Sequence, residues 1–332
     1  MKQNNKYRQI SYVRPFSKVP IFSLILVSIL AVSLSLSGCG GDGSSSEDLA
    51  SVDISQASPD DFAFKPEVLN PTAPGTDIIG NDVFTLDYSN ASEGYIVVNY
   101  SGDSERAKFQ ITGNGEITYT YNLENSLDTV IPLCADSGDY LVVLYENIGG
   151  DQYASAFSDT LNVDITNTFG PFLYPNQYVN FNEDTVAVEK AKTVIAGSTS
   201  ELEAVAKVYD FVINNVTYDH DEAENVEPSY LPDVDEVLST GKGICFDYAS
   251  LMTAMLRSQG IPTRLEIGYA KDAYHAWISV YSRDQGWIGG LIQFDGVDWT
   301  LMDPTLASNS KDASKIKNFI GDGSSYTTKY IY

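Results

Sequence analysis

Two regimes of hydrophobic patterning divide the chain. Between about residues 77 and 168, short runs alternate apolar and polar side chains: VFTLDY, YIVVNY, AKFQIT, ITYTYNL, TVIPL, DYLVVLYENI and YASAFSDTLNVDI. A period of two puts every second side chain on one face, as in half-buried strands. Gly113-Asn114-Gly115 and Ser137-Gly138-Asp139 punctuate the runs as turns. This density of short strands predicts an all-β sandwich of immunoglobulin-like type over residues 77–168.

From residue 169 the period becomes helical. After the linker-like GPFLYPNQYVN, helices are expected over about 183–196 and 200–215, the second opening on a Ser200-x-x-Glu203 capping box. Val205, Val208, Tyr209 and Val212 fall on one face of it and should meet the core. Asp233 is placed to cap a further short helix. Gly241 and Gly243 then bracket a turn into a helix over about 245–258. In that helix Tyr248, Leu251, Met252, Met255 and Leu256 repeat at helical spacing, and Gly260 and Pro262 stop it. The runs 263–270 (TRLEIGYA) and 274–281 (YHAWISVY) alternate again and read as strands joined by a short turn. A third run, 299–302, should pair as the next strand. The fold class is therefore α+β: helices plus an antiparallel sheet, preceded by the all-β unit.

The candidate chemistry lies in that second half. Cys245 falls in the first turn of its helix, where unpaired N–H groups and the helix dipole favour an anion such as a thiolate. Such placement beside an imidazolium lowers a cysteine pKa into the range of roughly 3.5 to 7.5. His275 opens the second strand, and Asp303 ends the third. If these strands are neighbours, the carboxylate of Asp303 fixes the tautomer of His275 and leaves its other nitrogen to exchange a proton with sulfur. An acyl-transfer site also needs oxyanion donors, and the backbone N–H of Cys245 is the first. Trp277 is expected to pack on the sheet, and His220, in the acidic stretch TYDHDEAEN, to be a solvated turn residue.

The segments GKGICFDYASLMTAMLRSQGIPTRLEIGY, YHAWISVY and WTLMDPT resemble the catalytic core of the transglutaminase-like superfamily, which has a papain-like fold and includes transglutaminases, peptide N-glycanases and bacterial cysteine peptidases. The resemblance spans about residues 169–332. It implies that Cys245 attacks an amide carbonyl, that His275 serves as base and then acid, and that Asp303 holds the histidine. It also implies a second oxyanion donor from an upstream aromatic or amide side chain, for which Tyr218 and Tyr230 are the candidates. One departure stands out: where the family commonly has a tight turn, this chain inserts SRDQGWIGGLIQFDGVD between the histidine and aspartate strands. The implied substrate is a peptide or protein, including cell-wall or surface proteins. If water resolves the thioester the activity is that of a cysteine peptidase or amidase, the outcome favoured here because water is always available. If a lysine amine resolves it, the activity is that of a transglutaminase. A third class of reading keeps the fold without catalysis, as a surface binding or scaffold module whose cleft the insert blocks.

The N-terminus sets the compartment. Residues 1–38 carry Lys2, Lys6, Arg8, Arg14 and Lys18 and no acid, and they include the apolar run 21–36. That is the layout of an export signal. The run is short of the roughly 20 residues a membrane span takes. It ends on Leu36-Ser37-Gly38-Cys39, which resembles the lipobox of bacterial lipoproteins and implies a lipid on Cys39 and an extracytoplasmic, membrane-anchored protein. Residues 39–76, rich in Gly, Ser, Asp and Pro, read as a flexible tether. The third cysteine, Cys134, is left as a buried strand-end residue, so no disulfide framework is expected.

Charge narrows the partners. Taking those five cations from the chain's 20, against 45 acidic residues, leaves a net of about −30 after removal of the leader. That opposes binding to nucleic acid. There is no phosphate-binding glycine loop, no His or Cys cluster at metal-ligand spacing and no twelve-residue calcium loop, so no cofactor is expected.

Overall fold

The computed structural model describes residues 66–114, 117–270, 273–294, 299–301 and 326–332. The leader 1–38, Cys39, the tether up to residue 65 and Asp303 lie outside the described residues. The strand-rich half holds two antiparallel sheets, ordered β1-β2-β3-β6 and β5-β4-β7-β8. Their strands are β1 (Ile78–Asn81), β2 (Phe84–Asp87), β3 (Tyr95–Tyr100), β4 (Ala107–Gly113), β5 (Thr118–Leu123), β6 (Asp128–Pro132), β7 (Gly138–Gly149) and β8 (Gln152–Val163). Alternation sets the faces as expected: along β4, Ala107, Phe109, Ile111 and Gly113 are buried and the residues between them half-buried. Across the sheets Phe84 stacks on Phe109 with ring centroids 5.9 Å apart and meets Phe157 at 5.4 Å. Fully burying a side chain of this size stabilises by roughly 2 to 3 kcal/mol. β1 was not expected; IIGN is short, half polar and broken by glycine.

The second half begins with α1 (Val186–Val194) and α2 (Glu201–Asn215). Ser200 caps α2 by accepting from the Glu203 N–H, while Glu203 turns its carboxylate to the Thr199 N–H and hydroxyl. Val205, Val208, Tyr209 and Val212 are all buried, as their spacing requires. Strand β9 (Thr217–Tyr218), α3 (His220–Asn225), α4 (Val234–Thr240) and strand β10 (Lys242–Gly243) follow. Asp233 caps α4 through the N–H groups of Asp235 and Glu236. Then comes α5 (Cys245–Arg257), whose residues from Asp247 onward are all buried. A helix covered on every side is a core element, and α5 lies between the other helices and the sheet.

That sheet is ordered β14-β13-β12-β11-β15, from β11 (Thr263–Ala270), β12 (Ala273–Ser282), β13 (Gly286–Phe294), β14 (Trp299–Leu301) and β15 (Tyr326–Ile331). One expectation is overturned here. The run at 299 does not pair with the histidine strand, because the inserted segment folds as β13 and occupies that place. His275 and the strand leading to Asp303 are therefore separated by a strand. The turn before β13 is tied down by Arg283, which pairs with the buried carboxylate of Glu201 at 2.5 Å.

Both halves share one hydrophobic core. Tyr119 and Tyr121 of β5 pack edge-on against Tyr332 at 5.4 and 6.2 Å, and Tyr178 packs on Tyr332 at 4.2 Å. Fully buried Arg257, at the end of α5, donates to the backbone oxygens of Thr263, Tyr174 and Tyr332 at 2.9, 2.9 and 2.6 Å.

Candidate active site

Two short parallel strands bring the upstream tyrosine to the cysteine. Thr217 pairs with Lys242 and Tyr218 with Gly243, locked by Thr217 N–H to Gly241 O at 2.8 Å and Asp219 N–H to Gly243 O at 3.0 Å. Two glycines make the turn. Gly241 closes α4 at a φ of 63°, a left-handed conformation that favours glycine, and a Cβ on Gly243 would lie 2.6 Å from the Cβ of Asp247. The chain then enters α5 through Ile244, which has no side-chain acceptor. Asp247, at the third helical position, supplies the return bond, accepting the Ile244 N–H at 2.7 Å.

Cys245 is half-buried in the first turn of α5. Its sulfur accepts from the N–H of Phe246 and from the N–H of Ala276, and the Tyr218 hydroxyl also bonds to it. The Ala276 nitrogen belongs to the peptide that joins it to His275, so the sulfur lies against the histidine's own peptide at the open end of β12. The Tyr218 oxygen also lies toward the Cys245 backbone N–H, which favours its phenolate. The Cys245 N–H, the expected oxyanion donor, thus lies beside Tyr218, the candidate for the second one.

The electrostatics differ from the expected lowered thiol. Burial pushes the Cys245 thiol above its ordinary value, and the negative charge of Asp247 adds to this. The three bonds to sulfur oppose the rise without cancelling it. A helix N-terminus stabilises an anion by about a kcal/mol, which desolvation of a buried thiolate exceeds. Burial also pulls the His275 imidazole down to about 4. At neutral pH the pair rests as neutral thiol and neutral imidazole, the form in which the ring can accept a proton.

The other candidates fall as follows. Tyr230 donates its hydroxyl to Asp247 Oδ1 at 2.6 Å, so it supports the helix start. His220 is exposed, but it opens α3 and is not in a turn; its ring lies 5.0 Å from that of Tyr218. Trp277 packs on the sheet as expected, 6.4 Å from the His275 ring, and donates to Glu266 at 3.1 Å. Cys134 is not a nucleophile at neutral pH, since burial pushes its thiol up to about 12. Sequence reasoning did not single out Asp247; its spacing of two from Cys245 in GICFD, at the third helical position, was the available signal. Among the described residues no group of three or more His, Cys, Asp or Glu is arranged to hold a metal ion, and no helix is long and apolar enough to cross a membrane.

Residues 188–289 match the model of the transglutaminase-like superfamily. The uncharacterized protein YebA of Bacillus subtilis (strain 168) is 30% identical over 129 residues, covering 30% of this chain and 17% of that protein. The chain thus matches about a sixth of that relative's length. Among solved structures, the periplasmic domain of TgpA from Pseudomonas aeruginosa is 15% identical with a TM-score of 0.30, over 76% of this chain and 81% of that one. Red sea bream transglutaminase is 14% identical with a TM-score of 0.24, over 64% and 48%. With the cysteine at the start of a buried helix and the histidine on the strand beside it, residues 188–289 are a transglutaminase-like domain.

Proposed function

We propose that this chain is a membrane-anchored, extracytoplasmic cysteine peptidase or amidase that cleaves peptide or protein amides through a thioester on Cys245. One observation carries the reading: the Cys245 sulfur lies in the first turn of a buried helix, against the peptide joining His275 to Ala276, with the Tyr218 hydroxyl on it.

The chemistry follows from the neutral resting pair. As the substrate carbonyl reaches the sulfur, the imidazole of His275 takes the thiol proton and the S–C bond forms. The Cys245 N–H holds the oxyanion, and the Tyr218 hydroxyl serves as the second donor. The imidazolium returns its proton to the leaving amine, and water, deprotonated by the same ring, hydrolyses the thioester. The family resemblance, and not strand pairing, assigns Asp303 the role of steadying that ring. Anchoring through a lipid on Cys39 is supported by the leader's charge pattern and the residues before the cysteine. The strand-rich unit, read as immunoglobulin-like, serves as spacer or substrate holder.

The test is incubation of the chain with a glutamine-containing protein and a labelled primary amine, beside a Cys245→Ser control. New peptide termini that vanish in the control support the reading. Incorporation of the amine would replace it with transglutaminase activity, and neither product, with Cys245 no more reactive than Cys134, would leave a binding module.

A further inference from the structure

Between the strand-rich unit and the five-stranded sheet lies a cavity of about 220 Å³ that the proposed chemistry does not use. Phe169, Phe172 and Trp287 supply aromatic walls and Arg264 a cation, and Cys134, Asp136, Ser137 and Thr168 are among the other lining residues. The inserted strand β13 builds part of it, through Trp287.

Arg264 is held in an unusual way for a buried cation. Its guanidinium carbon lies 3.8 Å from the Trp287 ring centroid and 4.7 Å from that of Phe172. The rings hold the guanidinium by cation–π contact, and its N–H edge is what remains for hydrogen bonding. Yet its buried Nε has no hydrogen-bond partner among the described residues. Glu266, two positions along the strand, supports the Arg264 charge at a distance, but its oxygens bond to Trp277, Ser279 and Thr328. The Arg264 Nε is closed off, so a ligand in the cavity would meet the guanidinium through its remaining N–H groups, whose planar fork matches a carboxylate.

The remaining walls narrow the ligand. Cys134 stays a neutral thiol, and among the described residues Arg264 is the one cation in the lining. Asp136 is exposed and adds a negative charge at the cavity, which disfavours a dianion such as phosphate. Drug-sized pockets run from about 300 Å³ upward, so this volume suits a single residue. We propose that the cavity binds a monocarboxylate of amino-acid size, its carboxylate on the edge of Arg264 and its apolar part against Phe169, Phe172 and Trp287. A free amino acid and the C-terminal residue of a peptide offer the same chemistry. The proposal is independent of any activity at Cys245.

Calorimetric titration of the full chain with N-acetyl-L-leucine, its neutral amide N-acetyl-L-leucinamide, and L-leucine tests it. Saturable binding of the acid at one site is expected, with no binding of the amide. Arg264→Met should weaken the acid about tenfold or more, as for loss of a charged hydrogen bond. Asp136→Asn, at an exposed position, should tighten it by about threefold through lost repulsion. Equal binding of acid and amide, or an Arg264→Met variant that binds as well as the wild type, overturns the proposal. Should Arg264→Met not fold, Asp136→Asn decides, and an affinity no tighter than wild type overturns it. Competition by L-leucine supports the proposal with a free amino acid as the source, and its absence supports it with a chain end.

Discussion

Tyr218 meets Cys245 at two points, its hydroxyl set against the sulfur and against the cysteine's backbone N–H. The bond to sulfur favours the thiolate, so Tyr218→Phe should raise the thiol's pKa further. The alkylation rate of Cys245 by iodoacetamide at mildly alkaline pH should then fall about fivefold, the worth of one ordinary hydrogen bond. Cys134, pushed up to about 12, is the slow internal reference. An unchanged rate would mean that the hydroxyl does not rest on the sulfur in solution.

Asp247 acts on the same sulfur with the opposite sign. Its charge raises the Cys245 thiol while its oxygens hold the Ile244 N–H and the Tyr230 hydroxyl. Asp247→Asn keeps an acceptor and removes the charge, so alkylation of Cys245 should become faster at neutral pH with little change in stability. Asp247→Ala leaves two buried donors unpaired and should cost about 1 to 3 kcal/mol for each in urea unfolding. A slower alkylation in Asp247→Asn would show that the charge does not reach the sulfur.

How far these relationships were legible depends on whether they are local. The glycines at 241 and 243, the helical spacing of Leu251, Met252 and Met255, and the stop at Gly260 placed α5 and its cysteine, and alternation placed β11 and β12. Strand adjacency was not legible, because register across a sheet is set by distant partners. β13, with glycines at 286, 289 and 290, reads as a loop until it finds β12, and β15 pairs with β11 from some sixty residues away. The thiol's pKa was misjudged for a related reason. A helix start is visible in sequence, whereas the burial that outweighs it belongs to the packed fold.

Arg257 carries stability rather than chemistry. It is fully buried, its pKa drops to about 9 through burial, and it ties the end of α5 to Thr263, Tyr174 and Tyr332. Arg257→Met removes three hydrogen bonds, two of them buried, although Tyr332 O keeps the Leu265 N–H, and should destabilise by on the order of 2 to 3 kcal/mol. Arg257→Lys should recover only part of this, since an ammonium on a flexible stem does not reproduce the planar fork. The measurement is the urea midpoint of each variant at constant m-value. A lysine variant as stable as wild type would show that charge alone, and not the three-way clamp, matters.

His275 makes stability depend on pH in a defined window. Burial lowers its imidazole to about 4 in the folded chain, against about 6.5 unfolded. Between those values the unfolded chain binds the extra proton, so stability is complete above about 6.5 and declines as pH falls toward 4, below which this group adds no further change. The loss is on the order of 3 kcal/mol for a shift of this size. His275→Gln cannot take up that proton, so its unfolding free energy should fall less than wild type's between pH 6.5 and 4. Urea titrations of both proteins across that range read the difference directly. Equal slopes would mean that the ring is hydrated in solution.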